Sequence, residues 1–248
     1  LWRTAQIAEL ALVRKLEHIR ETTPDLQWSW WLTDWGVDVR VAANPGDLPA
    51  LAQLNMVEGP VTEALGNLVY SRQMESLPAV VQRLMIEGNL TVSVAESCTA
   101  GMVGASLTDL AGSSAFFRGG ILAYADQIKR DLLDVPAKIL AKNGAVSEPV
   151  VRAMAEGAKK RFASDYCLAV SGISGPDGGT EEKPVGTTWV AVATPEDVFS
   201  WVYRFPGDRP RNRLLTVAVI VDSLRRSLVF GPAQSPWFEN DTWCRFQD

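Results

Sequence analysis

The stretch Thr91–Gly101, TVSVAESCTAG, constrains the fold more than any other. Its first half, Thr91–Ala95, alternates into a short β-branched run, the pattern of a buried strand. It runs into Glu96-Ser97-Cys98-Thr99 and the small residues Ala100 and Gly101, and Met102–Leu110 continues with helical potential. A strand that stops at a small hydroxyl and turns at once into a helix delivers that hydroxyl to the carboxyl edge of a sheet. Amides at a helix N-terminus can hold an anion or oxyanion there. The stretch therefore predicts an α/β sheet with Ser97 at its reactive edge.

The surrounding pattern extends this reading. Leu77–Glu87 predicts a helix closed by Gly88-Asn89, Gly119–Tyr124 a second strand and Asp126–Leu133 a helix. A short helix follows to Lys142, and Ser147-Glu148-Pro149 signals the cap of a long helix ending at Phe162. Cys167–Ser171, Thr187–Ala193 and Phe199–Phe205 read as strands, and about Arg211–Leu228 as a final helix. Helices alternate with the early strands, but the last two strands have none between them. That implies a three-layer α/β/α domain with a mixed sheet, over residues 73–230.

Ahead of it, Ala5–Glu21 reads as an amphipathic helix, and Leu26–Leu32 with Val37–Ala42 as a hairpin around Asp34-Trp35-Gly36. A helix capped by Asp47 runs to about Leu65, with a break expected near Gly59-Pro60, and Leu68–Tyr70 is a short strand. Residues 1–72 thus form a small α+β domain, with the boundary in Ser71–Glu75. Trp28 and Trp30 share a face suited to a core or a partner. Residues 231–248 carry no regular pattern and read as a tail.

Composition narrows the chemistry. The 248 residues hold one histidine, His18, on the amphipathic helix of the first domain. A Ser-His-Asp or Cys-His arrangement would have to use it, so a hydrolase built on this chain needs another base. The three cysteines, Cys98, Cys167 and Cys244, form neither a CxxC nor a disulfide framework, which fits a reducing, cytoplasmic setting. Net charge is −5 overall, and over residues 1–72 six basic against nine acidic residues give −3. Nucleic acid and anionic membrane are poor partners for such a surface. No apolar run approaches the ~18–20 residues of a membrane span. The chain opens at Leu1 rather than Met, as a fragment or trimmed chain would.

Ser97 is the leading nucleophile, and lysine is the base that can replace histidine. Lys129 follows the second strand at an edge like that of Ser97, and Tyr124 ends that strand. If the two strands are neighbours, all three approach one another; otherwise Ser97 caps a helix and Lys129 is exposed. Cys98 competes as nucleophile, although consecutive extended residues face opposite ways. Ser171–Gly186, SGISGPDGGTEEKPVG, has five glycines and two prolines. Its amides suit a phosphate, with Lys183 or Arg209 as counter-charge, but it matches neither a P-loop nor GxGxxG, and a flexible hairpin is the alternative. Asp177, Glu181 and Glu182 could hold a metal or stand solvated.

Five segments in order then carry a family resemblance: AESCTAG (95–101), GSSAFFRGGILAYADQIK (112–129), NGAVSEPV (143–150), SGISGPDGGTEEKPVGT (171–187) and FPGDR (205–209). Together they resemble the C-terminal domain of the CinA family, competence/damage-inducible protein A. Stand-alone forms of that domain are similar to amidohydrolases that convert nicotinamide mononucleotide (NMN) to nicotinic acid mononucleotide and ammonia with a Ser/Lys pair. The resemblance implies Ser97 as nucleophile, Lys129 as base and Tyr124 in the same pocket. It also implies a substrate-binding set of Glu96, Thr99, Gly101, Ser113, Ser171, Gly175, Asp177, Gly178, Gly179, Thr180, Lys183 and Arg209. No cofactor is implied, and a homodimer is. Residues 1–72 look like the KH-type domain that precedes this one in the family, without the GxxG loop of a nucleic-acid binder. Full-length members begin with a molybdopterin-binding-like domain linked to ADP-ribose pyrophosphatase activity; this chain lacks it, so that activity is not carried over. Ala100 stands where many members have Gly, a tolerable change unless the backbone needs positive φ. The alternatives are a non-catalytic nucleotide-binding or partner-binding module and a DNA-associated competence factor, the latter opposed by the acidic charge.

Overall fold

The computed structural model describes residues 1–231. They divide into two compact units, residues 1–77 and 78–231. The expected tail lies outside the described residues, apart from Gly231, as does Cys244.

In the first unit the elements are β1 (Trp2–Thr4), α1 (Glu9–Glu21), β2 (Gln27–Leu32), β3 (Val37–Ala42), α2 (Leu48–Leu65) and β4 (Val69–Ser71). The strands form an antiparallel sheet in the order β2-β3-β1-β4. Trp28 and Trp30, two residues apart on β2, bring their ring centroids to 5.8 Å and pack on the core of Trp2, Leu12, Leu16 and Val39. The Asp47 carboxylate accepts from the Ala50 amide at 3.0 Å and caps α2 as its side-chain chemistry predicts. Two expectations change. The first helix starts at Glu9 rather than Ala5, because Gln6 turns the chain at φ 58°. The second runs unbroken through Pro60, which lies on its exposed side, where water can meet the carbonyl that loses its partner.

The second unit contains α3 (Leu77–Glu87), β5 (Val92–Glu96), α4 (Met102–Thr108), β6 (Phe117–Leu122), α5 (Asp126–Leu133), α6 (Ala137–Asn143), α7 (Glu148–Phe162), β7 (Tyr166–Gly172), β8 (Thr187–Ala193), β9 (Val198–Arg204) and α8 (Arg209–Phe230). The helix α3, though it begins at the last residue of the first unit, otherwise belongs here. The sheet order is β6-β5-β7-β8-β9. The β5–β6 and β5–β7 pairs are parallel, and β7–β8 and β8–β9 antiparallel, so the sheet is mixed. Alternate residues build the two faces. Ala95, Cys167, Ala169, Ala191 and Ala193 pack with Val150, Val151, Met154 and Ala155 of α7. Val94, Leu168, Val170, Val190 and Val192 are buried on the other side, where α8 lies along β7 and β8. This is a three-layer α/β/α architecture.

The topology positions the site. From β5 the chain passes through α4 to β6 on one side, then crosses through α5–α7 to β7 on the other side of β5. In an open sheet of this kind the crevice lies beyond the carboxyl ends of the two strands at that reversal, here β5 and β7. Ser97 follows β5, and the glycine-rich loop follows β7.

On α8, Asp222 is buried and receives Arg225 and Arg226 through their Nε atoms at 2.6 Å each. Burial alone would raise its carboxyl, but the two guanidinium groups outweigh it and hold the group below the usual carboxylate range. A depressed folded value stabilises at neutral pH, and that stability is lost as pH falls below about 4, through the folded value. Replacing Asp222 with Asn removes the buried carboxylate that both guanidinium groups grip and is expected to cost about 3–5 kcal/mol. Urea denaturation at pH 7 checks this; an unchanged midpoint would refute it.

Candidate active site

The nucleophile turn is built from the end of β5. The Ser97 amide still donates to Val170 of β7 at 3.1 Å, and the next four residues form a tight turn into α4. Within it Ala100 sits at φ 50° and Gly101 at φ 98°. The backbone does need positive φ at position 100, so alanine there is strained where glycine would not be.

Parallel pairing of β5 with β6 brings the start of α5 alongside this turn. Lys129, only 1% exposed, points its Nζ at Ser97 Oγ, 3.5 Å away. The same Nζ donates to the Tyr124 carbonyl at 3.1 Å and lies 3.4 Å from Asp126 Oδ1. Of the two readings open for Lys129, the exposed one is set aside. Ser97 itself is 9% exposed.

Cys98 is buried beneath the turn, and burial pushes its thiol up to about 11. A thiol so protonated at neutral pH is a poor nucleophile. Cys167, in β7, is pushed up to about 12 for the same reason.

Glu96 does different work from ligand contact. Its Oε2 accepts from Thr99 Oγ1 at 2.6 Å and from the amides of Gly101 and Val103 at 2.9 and 3.1 Å, while Oε1 accepts from the Gly104 amide at 2.8 Å. The anion that the start of α4 attracts is thus supplied by the protein, and Glu96, Thr99 and Gly101 are tied to one another. Among the described residues the Thr99 amide donates to no partner, while the Cys98 amide faces its own thiol.

The remaining site expectations separate. Arg209, in the first turn of α8, donates to the Gly175 carbonyl at 3.0 Å and the Tyr124 hydroxyl at 3.2 Å. Tyr124 therefore spans the site: its carbonyl holds Lys129, and its phenol, in a side chain 59% exposed, meets Arg209. Gly175 adopts φ 92° beside this pair, and Asp177, Gly178, Gly179 and Thr180 form the exposed crest of the loop. Lys183 turns away to the carbonyl of Asn143, at 2.6 Å. The Ser171 hydroxyl donates to the Ala145 carbonyl at 2.8 Å and ties the end of β7 to the loop before α7. Ser113 precedes β6, and β6 runs parallel to β5 with Phe117 opposite Val92. It sits at the amino edge of the sheet, away from Ser97. Ser147 bonds Gly144 at 2.8 Å and makes no side-chain cap on α7. Among the described residues no three His, Cys, Asp or Glu side chains gather as metal ligands.

Arg213 was not singled out from sequence. It lies one helical turn after Arg209, on the same side of α8, and that i, i+4 spacing is the signal that could have found it. Its Nε donates to the Cys98 carbonyl at 3.0 Å and its NH2 to the Thr99 carbonyl at 2.7 Å.

The fold and the buried Ser97–Lys129 contact define a three-layer α/β/α protein with a serine–lysine pair at a topological switch point. Residues 74–228 match the CinA C-terminal domain, and the chain belongs to the CinA family. A CinA-like protein of Synechococcus sp. (strain CC9902) is 46% identical over 189 residues, covering 75% of this chain and 45% of its own length. Another, from Gemmatimonas aurantiaca, is 40% identical over 228 residues, covering 91% of this chain and 53% of its own length. The chain spans about half the length of these curated relatives. Among solved structures, the CinA superfamily protein of Klebsiella pneumoniae 700603 is similar with a TM-score of 0.60 and 34% identity over 61% of this chain and 95% of that one. The competence/damage-inducible protein CihA of Agrobacterium tumefaciens gives 0.58 and 35%, over 64% of this chain and 99% of its own. Among the described residues no helix is long and apolar enough to cross a membrane.

Proposed function

We propose that the second unit hydrolyses the carboxamide of NMN to nicotinic acid mononucleotide and ammonia. The observation that carries this reading is the buried contact of Lys129 Nζ with Ser97 Oγ at 3.5 Å, in a unit whose described residues include no histidine. In the proposed sequence Lys129, as the neutral amine, takes the hydroxyl proton while Ser97 Oγ attacks the carboxamide carbon. The Thr99 amide receives the oxyanion. Lys129 then passes the proton to the departing nitrogen, which leaves as ammonia with an acyl ester on Ser97. Water, deprotonated by Lys129, attacks that ester, and Lys129 returns the proton to the departing Ser97 Oγ as the carboxylate is released.

Recognition falls to the other end of the substrate. Arg209, held between Tyr124 and Gly175, is the cation best placed for a 5′-phosphate, because Lys183 is engaged with Asn143. The family membership supports the reaction class, and the first unit is read as the KH-type-like domain that precedes it. Ammonia and nicotinic acid mononucleotide should appear in equal amounts when the protein is incubated with NMN, followed by chromatography and an enzymatic ammonia assay. Calorimetric binding of NMN without turnover would overturn the reading in favour of a nucleotide-binding module.

A further inference from the structure

We propose that Arg213 is a positioning residue that sets the oxyanion donor of the Ser97 turn, the Thr99 amide; the inference rests on the hydrolytic reading above. The geometry is that of a fork. Nε and NH2 of one guanidinium grip two successive carbonyls, Cys98 at 3.0 Å and Thr99 at 2.7 Å. The Cys98 carbonyl and the Thr99 amide belong to one peptide unit. In a planar trans unit the N–H points opposite to the C=O. Holding that carbonyl on the α8 side therefore aims the Thr99 N–H to the other side, where Ser97 meets Lys129 of α5. The second grip acts on the next peptide unit, whose Ala100 amide closes the turn onto the Ser97 carbonyl at 3.2 Å.

The turn needs such a hold. Ala100 occupies the left-handed region at φ 50°, which an alanine leaves readily. Glu96 restrains the far end through the Gly101, Val103 and Gly104 amides, and Arg213 restrains the near end through the carbonyls. The cation also polarises the Cys98–Thr99 peptide, which strengthens its N–H as a donor. A lysine has no planar fork and cannot match two successive carbonyls in one fixed bidentate geometry.

The test uses the whole chain with Arg213→Ala and Arg213→Lys, and two readouts. The first is NMN turnover, split into kcat and KM. The second is the rate at which a fluorophosphonate labels Ser97, followed by peptide mass spectrometry; labelling needs the oxyanion donor but not NMN. Arg213→Ala is expected to lower both kcat and labelling by on the order of 10²-fold, as loss of an oxyanion donor does, with KM within about two-fold. Millimolar guanidinium should restore part of both. Arg213→Lys should fall between Arg213→Ala and wild type. Unchanged labelling and kcat in either folded variant overturns the proposal, and so does a loss that appears only in KM. If Arg213→Ala does not fold, Arg213→Lys decides: full activity overturns the proposal, and a kcat and labelling deficit at unchanged KM supports it. If wild type labels at Ser97 yet leaves NMN intact, the substrate reading fails while the labelling rates still decide the role of Arg213. If wild type neither labels nor turns over NMN, both fail.

Discussion

Ser97→Ala is expected to lower NMN hydrolysis by about 10⁴-fold or more, the scale of removing a nucleophile from a hydrolase whose parts act as a unit. The fold should survive, because Lys129 keeps its contacts with the Tyr124 carbonyl and Asp126 when the hydroxyl goes. The neighbouring thiol cannot take over: it is buried, and its acidity is pushed to about 11. Cys98→Ala is accordingly expected to keep most of the activity. Measuring ammonia release under single-turnover conditions separates the two variants. Ser97→Ala activity within ten-fold of wild type would sink the nucleophile assignment.

Lys129→Met should be nearly as damaging, by roughly 10²–10⁴-fold in kcat, the range for a positioned general base. Methionine matches the length and unbranched shape of the buried stem and removes only the amine, so the thermal midpoint should hold or rise. Lys129→Arg sharpens the test. Arginine keeps the charge but cannot give up its proton, so it cannot act as the base. An active Lys129→Arg variant would show that the cation, rather than proton transfer, matters at this position.

Where the chain carries its own punctuation, sequence and structure agree closely. Helices α3 and α5 run over Leu77–Glu87 and Asp126–Leu133, the bounds set by their flanking glycine, asparagine and β-strand residues. Strand β1 was missed because three residues are too few to show a period; pairing with β3 and β4 makes it a strand. The turn at Gln6 and the passage of α2 through Pro60 are likewise tertiary outcomes that local propensity opposes.

The site was legible in part. The Ser97 and Lys129 positions followed from strands that end near small or charged residues and the rule that parallel neighbours align their carboxyl ends. Burial of Lys129 could not be read, because the same spacing serves an exposed lysine. Glu96 and Lys183 show the limit most clearly. Each has the charge a nucleotide site would use, and each is taken by backbone groups that become neighbours only after folding, the amides of α4 and the Asn143 carbonyl. Ser113 was carried by the motif around it, yet strand direction sets it at the opposite edge of the sheet.

The helix α8 is the last described element of its unit, and Arg213 on it reaches a carbonyl 115 positions earlier. During synthesis the serine and the lysine both leave the ribosome long before the segment that grips the turn between them. An incomplete chain would carry the reactive pair without the restraint that shapes it. Turnover would then begin only when the unit is nearly whole, and a ribosome-stalled product would be silent rather than indiscriminately reactive.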